Sequence, residues 1–356
     1  MRRERKFTSI SLFSGCGGLD LGLSQAGFET VLALDADPLC AATYHKNFPK
    51  VRFINERIGV LSQSIFSGIT REFGEIDLVA GGPPCPPFSK SRFYRKEKPR
   101  GLDDPTAFET ITGFLSVVRS VRPRAFILEN VKGLSYGVHS EALQTILSRA
   151  KRLGYEVQVA VLNAADYGVP QMRERCIIVG TLDGGFRFPL PSHSKSEERG
   201  LSKWIPVGDV LADLDTDENA CDRGHFAGGK HHDLLRQVPP GDNYLFFTKE
   251  RGHRHPKFLW RSRYWSFLLK LSPDLPSWTI QARRSNNMGP LHWRNRILRI
   301  SEIKRIQTFP DNFDLAGTTE QQWRQLGNAV PPLLAKKIGV ELASCLRQRR
   351  SLARAA

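Results

Sequence analysis

The stretch that decides the fold is Phe7-Thr8-Ser9-Ile10-Ser11-Leu12-Phe13-Ser14-Gly15-Cys16-Gly17-Gly18-Leu19. Its first seven residues alternate apolar and polar side chains, as a β-strand does. A helix is predicted from about 19 to 26, with Gly27 as its C-terminal cap. Glycines between a strand and a helix let a ligand approach the backbone N–H groups at the helix N-terminus. The stretch therefore predicts a strand–loop–helix unit that binds a cofactor.

The same alternation continues through the first half of the chain. A second strand is predicted over 30–34, and Asp37 and Pro38 are typical of a helix start. Further strands are expected near 76–80, 125–128, 156–162 and 176–180, and helices near 107–120 and 140–152. This order predicts an α/β fold with a parallel sheet and helices on both faces. Short helices near 301–307 and 320–326 and a final helix over 333–347 follow an irregular region.

Composition restricts the class of protein. The chain has 356 residues, a formal net charge of +16 and no apolar run that approaches the ~20 residues of a membrane span. The charge indicates a polyanionic partner such as nucleic acid, or else a generally basic surface. Six scattered cysteines without a C-x-x-C pair argue against disulfides and a cysteine zinc site, and fit a reducing cytoplasm. The pairs His231-His232 and His253-x-His255 lack further ligands at metal spacing, so no metal is expected.

A proline-walled loop presents the candidate nucleophile. After the apolar run 76–80 the chain reads Gly81-Gly82-Pro83-Pro84-Cys85-Pro86-Pro87-Phe88-Ser89. The prolines fix φ, so Cys85 is held with little freedom at the end of a strand. A rigidly held thiol there is a good nucleophile, and the alternative is a structural cysteine in a proline-rich turn.

Charged side chains at other strand ends are the remaining candidates. Glu129 ends the strand near 125–128, where a partly desolvated carboxyl could donate a proton, or could simply form a salt bridge. Arg173 and Arg175 alternate before the strand at 176–180 and are expected to face one site, unless they belong to a solvated charged face. Asp35 ends the second strand and suits a ribose diol. Phe13 could stack on an adenine or belong to the core.

Taken in order, these segments resemble the DNA (cytosine-5) methyltransferase family. The resemblance covers nearly the whole chain except 186–275. It rests on Phe13-Ser14-Gly15-Cys16-Gly17-Gly18, Pro83-Pro84-Cys85, Glu129-Asn130-Val131, Gln171-x-Arg173-x-Arg175 and Gly327-Asn328-Ala329-Val330-Pro331-Pro332, with support from 276–280 and 305–310.

The resemblance implies a Rossmann-like fold that uses S-adenosylmethionine and no metal. Cys85 would add to C6 of a flipped-out cytosine, Glu129 would act at N3, and Arg175, supported by Arg173, would hold the O2 side. Asn328 would buttress the proline–cysteine loop. The implied cofactor contacts are Phe13, Ser14, Gly15, Cys16, Gly17, Gly18, Leu19, Asp35, Ala36, Ile58, Pro84, Asn328 and Ala329, with Asp104 as a further candidate.

The chain departs from the family pattern at a few positions. Pro86 follows the nucleophile where glutamine is common, and Arg57 stands where an aspartate usually precedes Ile58. Glu109-Thr110 stands where a leucine is usual, and Ser301 replaces a common arginine. None of these changes removes a catalytic role.

The family resemblance also implies how the chain divides into domains. Residues 1–185, completed by 300–356, would form the catalytic and cofactor domain, and 276–356 the return segment with the C-terminal helix. The target-recognition domain would be 186–275, a small irregular unit in which basic and aromatic residues interleave. Its variable part is expected near 245–263, with base contacts from Arg251, Arg254, Arg261 or Arg263 and phosphate contacts from Lys249 and Lys257. Ser89 is a further DNA candidate.

The expected protein is a monomeric, cytoplasmic bacterial enzyme that protects DNA from a restriction endonuclease without a stable complex with it. Two alternatives are a tRNA cytosine-5 methyltransferase of the same fold and a non-catalytic DNA-binding relative. The recognition sequence cannot be read from the chain.

Overall fold

The computed structural model describes residues 6–61, 63–84, 103–196, 200–215, 227–261 and 264–355. Within these ranges the main sheet consists of β1 (Phe7–Leu12), β2 (Phe28–Leu34), β3 (Arg52–Ile54), β4 (Leu78–Gly81), β5 (Ala125–Val131), β6 (Glu156–Asn163) and β8 (Glu174–Thr181). Their order across the sheet is β3-β2-β1-β4-β5-β8-β6. The short strand β7 (Gln171–Met172) lies outside it and pairs with β11 (Ser277–Trp278).

Helices cover both faces of this sheet, as the alternating pattern predicts. One core contains Ile10, Leu12, Phe126 and Leu128 and is covered by α3 (Gln63–Phe73), α4 (Pro105–Val121) and α5 (Ser140–Arg152). The intervening strand residues, such as Leu78 and Ile127, belong to a second core under α1 (Gly18–Gln25) and α10 (Pro332–Ala355). Successive strand residues point to opposite faces, so β4 and the first half of β5, which are buried on both sides, are apolar.

The prediction of a parallel sheet is wrong for one strand. The pairs of β1 with β2 and β4, and of β4 with β5, are parallel, but β8 runs antiparallel to both β5 and β6. The chain returns from β6 to β8 through a short turn (Ala164–Tyr167) and β7, without a crossover helix. Adjacent strands joined this way pair antiparallel because only a parallel pair needs a long crossover.

The second half of the chain has short elements and a third core. The elements are β9 (His193–Ser194), β10 (Ser202–Lys203), α6 (Val207–Leu211), α7 (His232–Gln237), α8 (Ile300–Ile306) and α9 (Thr319–Asn328). The core joins aromatic and aliphatic side chains of 207–298, including Tyr244 and Phe247, to Ile303, Trp323 and Leu326. The irregular region therefore packs on α8 and α9. In the described part of the chain, no helix has the length and apolar character needed to cross a membrane.

Local sequence explains several element boundaries. Asp37 caps α2 (Pro38–Asn47) by accepting a hydrogen bond from Leu39 N–H at 3.0 Å. Gly27, with φ 98°, follows α1 as predicted. Asp104 accepts the N–H groups of Thr106 and Ala107 at the start of α4, so its described role is that of a helix cap.

Candidate active site

The carboxyl ends of the central strands meet at one edge of the sheet. Leu12 of β1 is in register with Leu34 of β2 and Gly81 of β4, and Gly81 is in register with Leu128 of β5. A cavity of about 640 Å³ opens there. It lies where ligands bind in open α/β sheets and has the size of a small-molecule site.

This cavity brings together nearly all of the predicted cofactor residues. Gly17 and the further candidate Asp104 are absent from the described lining, which contains Phe13, Ser14, Gly15, Cys16, Gly18, Leu19, Asp35, Ala36, Ile58, Pro84, Asn328 and Ala329. The catalytic candidates Glu129 and Arg175 line the same cavity.

The glycine-rich loop is held in a strained but well-bonded shape. Phe13, a bulky residue, has φ 54°, in a region that is unfavourable for such side chains. Ser14 ties the loop to β2: its N–H donates to Leu34 O at 3.0 Å, and its Oγ accepts the N–H of Leu34 at 3.1 Å. Gly17 at the start of α1 has φ 89°, which favours glycine. Strain of this kind persists only where the surroundings determine the backbone, as they do at binding sites.

Asp35 connects this loop to the end of β2. Its Oδ2 accepts the N–H of Gly15 and its Oδ1 accepts the N–H of Asp37, each at 2.8 Å. Burial raises the pKa of the Asp35 carboxyl above its ordinary value, and these backbone hydrogen bonds act against that rise. Because each carboxylate oxygen can accept more than one hydrogen bond, Asp35 still has capacity for a diol.

Glu129 and Arg175 form an ion pair at the edge of the cavity. Arg175 Nε lies 2.8 Å from Glu129 Oε1, and the two side chains are only 12% and 11% exposed. The antiparallel direction of β8 explains the meeting, since it sets Arg175 opposite Val131 at the carboxyl end of β5. Because water has little access to this ion pair, the charge-assisted hydrogen bond holds both groups in one orientation.

The proline loop begins against the same carboxylate. Asn130 Nδ2 donates to Pro83 O at 3.1 Å, so the residue after Glu129 fixes the start of this loop. A Cβ placed on Gly82 would lie 2.7 Å from Glu129 Oε2, so only glycine fits there without a shift. Pro84 lines the cavity. Cys85 and Ser89 lie outside the described residues, as does the contact predicted between this loop and Asn328.

Arg173 does not join Arg175 at the cavity, which corrects the prediction that both face one site. Its side chain is buried and donates to the carbonyls of Ile280 and Gly327, at 3.2 and 2.8 Å. The strand is interrupted between β7 and β8, so strict alternation does not extend through residue 173. Arg173 instead joins the Gln171 strand to the segment that carries Asn328.

Two ion pairs at the cavity rim were not predicted. Arg57 contacts Glu109 at 2.6 Å, and Arg324 contacts Asp37 at 2.8 Å, and all four residues line the cavity. They join segments that are distant in sequence, and neither periodicity nor spacing indicates such pairs. The departures from the family pattern at Arg57 and Glu109 are thus in contact with each other.

The described residues contain no cluster of three or more histidine, cysteine or acidic side chains that could hold a metal. His232 Nδ1 lies 2.7 Å from Ala227 O, and His253 contacts His255. The fully buried histidine is His292, whose pKa burial lowers to about 4, so this side chain is neutral near pH 7. Its Nδ1 accepts the N–H of Arg294 at 3.1 Å, which is a structural role.

The arginines predicted to contact DNA lie on the second half of the chain. Arg251 is already paired with Asp242 at 2.8 Å, whereas Arg254 and Arg261 are exposed. Arg263 lies outside the described residues.

A second, more open groove of about 760 Å³ lies between α3, α4 and α5. It shares only Ile58 and Glu109 with the enclosed cavity, and its described lining includes none of the catalytic candidates. The cavity at the sheet edge is therefore the candidate active site.

Comparisons with known proteins show the family to which the chain belongs. The family model for C-5 cytosine-specific DNA methylase matches residues 7–344. Type II methyltransferase M.SacI of Streptomyces achromogenes is 38% identical, over 92% of this chain and 90% of that protein. Type II methyltransferase M.NgoFVII of Neisseria gonorrhoeae is 34% identical, over 91% of this chain and 83% of that protein.

Solved structures show the same fold at low identity. The Entamoeba histolytica methyltransferase EhMeth has a TM-score of 0.65 at 17% identity, with 96% of this chain and 99% of that chain covered. The S. pombe Dnmt2 methyltransferase has a TM-score of 0.64 at 16% identity, with 96% and 99% covered. Because the family model spans nearly the whole chain and the relatives match along most of their length, this chain belongs to the C-5 cytosine-specific DNA methylase family and is a DNA (cytosine-5)-methyltransferase of the Type II restriction–modification kind.

Proposed function

We propose that the enzyme methylates C5 of a flipped-out cytosine in a specific duplex sequence through a covalent adduct with Cys85. The observation that carries this proposal is the Glu129–Arg175 pair at 2.8 Å, in the cavity that Pro84 also lines. An acid, a guanidinium and the residue before a thiol thus surround one space. The target carbon lies inside the base stack, so the base must leave the duplex to reach them.

The residues around the cavity suit S-adenosylmethionine. The curved glycine loop exposes backbone beside Asp35, whose carboxylate can accept ribose hydroxyls, and Phe13 and Ile58 supply apolar surface for the adenine. When bound, this cofactor supplies an electrophilic methyl group.

The chain's own residues then divide the work on the base. The Cys85 thiolate forms a bond to C6, and the electron pair of the C5–C6 bond becomes available at C5. Glu129 hydrogen-bonds or protonates N3, so that negative charge does not build up on the ring. Arg175 orients Glu129 and holds the O2 side. After C5 is methylated, a base removes the C5 proton and the Sγ–C6 bond breaks, which restores the thiolate.

Trapping on fluorinated DNA tests this chemistry. In a duplex with 5-fluorocytosine at the target, the C5 substituent cannot leave as a proton, so the enzyme should stay covalently attached. Cys85→Ser should form no such complex and should not methylate DNA, because a hydroxyl is a far weaker nucleophile than a thiolate, yet it should still bind duplex DNA. A Cys85→Ser enzyme that turns over within about tenfold of wild type, or is trapped equally well, overturns the assignment. Parallel assays on tRNA test the alternative substrate.

Residues 186–275 are proposed as the target-recognition region, and a restriction endonuclease of the same specificity as the functional partner. The names of the relatives support that pairing. Bisulfite sequencing of DNA from cells that express the chain would identify the methylated sequence. Resistance of this DNA to an endonuclease that cuts there, with an unmethylated control, would test the protective role.

A further inference from the structure

Two exposed tryptophans form a pair beside β7, the short strand that precedes β8 and Arg175. The rings of Trp265 and Trp278 meet edge to face, with centroids 4.9 Å apart and planes at 62°. The two residues are 39% and 37% exposed. Aromatic pairs in this arrangement fix each other's orientation. Contiguous exposed apolar surface is typical of interaction sites.

The backbone under the pair is firmly held. Trp278 pairs with Met172 in the β7–β11 ladder, and Thr279 Oγ1 donates to Met172 O at 2.6 Å. The carbonyl of Trp265 accepts Asn243 Nδ2 at 2.6 Å. Ser277 and Ile280 are buried on either side of Trp278, so the indole is the exposed part of a rigid segment.

This segment contacts two parts of the chain that lead to active-site candidates. Its far end touches the end of α9, which carries Asn328, since a Cβ placed on Gly327 would lie 2.5 Å from Gln281 O. Its near end lies opposite Met172, three residues before Arg175. Three extended residues and one strand spacing together span at most about 15 Å. The Trp278 backbone therefore lies within about four or five stacked bases of the Arg175 backbone, at ~3.4 Å per base.

The chemistry of the pair suits nucleic acid. Exposed Arg261 and Arg283 occur on the two segments that carry the tryptophans, in a chain with a net charge of +16. Basic side chains hold phosphates, and flat aromatic faces accept bases whatever their identity. When a base leaves a duplex, its neighbours lose their stacking, and an aromatic side chain can replace part of that loss.

Resting on the proposed function, we propose that Trp265 and Trp278 form a stacking platform for the DNA bases next to the extruded cytosine. They are positioning residues for base extrusion, and neither takes part in the methyl transfer itself.

The test compares two duplexes of the cognate sequence, once bisulfite sequencing has identified it. One is fully matched, and the other has an abasic site opposite the target cytosine, so that extrusion no longer breaks a base pair. Single-turnover methylation rates and dissociation constants are measured on both for wild type, Trp278→Ala, Trp278→Leu and Trp265→Ala. Trp204→Ala controls for general loss of packing, because Trp204 instead bonds Asp166 at 2.9 Å.

We expect the single-turnover methylation rates of Trp278→Ala and Trp278→Leu to fall about tenfold or more on matched DNA. On the abasic duplex, the same rates should fall less than about threefold. Trp278→Phe, which keeps an aromatic face, should recover most of the loss. Trp204→Ala should keep the wild-type ratio between the two duplexes. The leucine variant retains apolar bulk, so it covers the case in which the alanine variant fails to fold.

Equal losses on both duplexes, or no loss with Trp278→Leu, overturn the platform. A wild-type enzyme that methylates neither duplex instead overturns the proposed function, so the two failures are distinguishable.

Discussion

Asp20→Asn should stabilise the folded protein in a pH-dependent way. Asp20 lies in the first turn of α1, below the glycine loop, and is 1% exposed. Its carboxyl faces the hydroxyls of Ser11 and Tyr44, whose interactions with it act against the rise in pKa that burial causes. Burial raises the pKa of the Asp20 carboxyl from 3.8 to about 6. The folded protein therefore disfavours the ionised form.

The sign and size follow from that pKa. An acid whose folded pKa is raised holds its proton more tightly when folded, so stability falls as pH rises from about 4 to about 6. Above about pH 6 this loss of folding stability is complete and amounts to about 3 kcal/mol. Asparagine cannot ionise, so Asp20→Asn should be about 3 kcal/mol more stable than wild type at about pH 8. Near pH 5 the gain should be about half of that.

Urea unfolding of both proteins at the two pH values measures the difference. Asp213→Asn is the control: this exposed carboxylate pairs with Arg305, which lowers the pKa of Asp213, so its replacement should destabilise at both pH values. A gain for Asp20→Asn that is the same at both pH values, or a loss at about pH 8, would refute the reasoning.

Three further predictions concern single side chains. Asp35→Ala should weaken S-adenosylmethionine binding by about 1–3 kcal/mol, because it removes a charge-assisted acceptor; unchanged affinity by calorimetry would move the ribose contact elsewhere. Burial lowers the pKa of Lys270 to about 8, so wild type should gain stability relative to Lys270→Met as pH rises from about 8 to about 10. A difference in free energy of unfolding between the two proteins that does not change with pH would contradict this. Arg254→Ala or Arg261→Ala should cost about 1–3 kcal/mol on cognate DNA and much less on scrambled DNA, whereas Lys257→Ala should weaken both alike. Competition binding at two salt concentrations measures the ratio of cognate to scrambled affinity. If both arginine variants keep the wild-type ratio, other residues read the bases.

Local signals predicted most of the first half of the fold. The alternation of apolar runs and amphipathic stretches located β1, β2, β4, β5, α1, α2 and α4, because burial on both faces of a sheet leaves a direct trace in composition, whereas β3 and α3 were missed. The capping by Asp37 and the stop at Gly27 are likewise properties of neighbouring residues. The strand at 176–180 was located, but its direction was not, since a strand reads the same in either sense.

The site was predicted residue by residue only where motifs carry it. The cofactor loop, Asp35, Glu129 and Arg175 line one cavity as expected. The rim pairs Arg57–Glu109 and Arg324–Asp37 were missed, because each joins segments far apart in the chain.

By itself, the sequence determined the family and predicted most elements of the first half and the residue types proposed for the chemistry, because these depend on neighbours along the chain. Only the tertiary structure decided which side chains meet. In the structure β8 runs antiparallel to β5, which brings Arg175 to Glu129. Arg173 instead donates hydrogen bonds to the carbonyls of Ile280 and Gly327. The tertiary structure also brought Trp265 to Trp278. Such contacts depend on strand direction and on packing between distant segments, which no local pattern records.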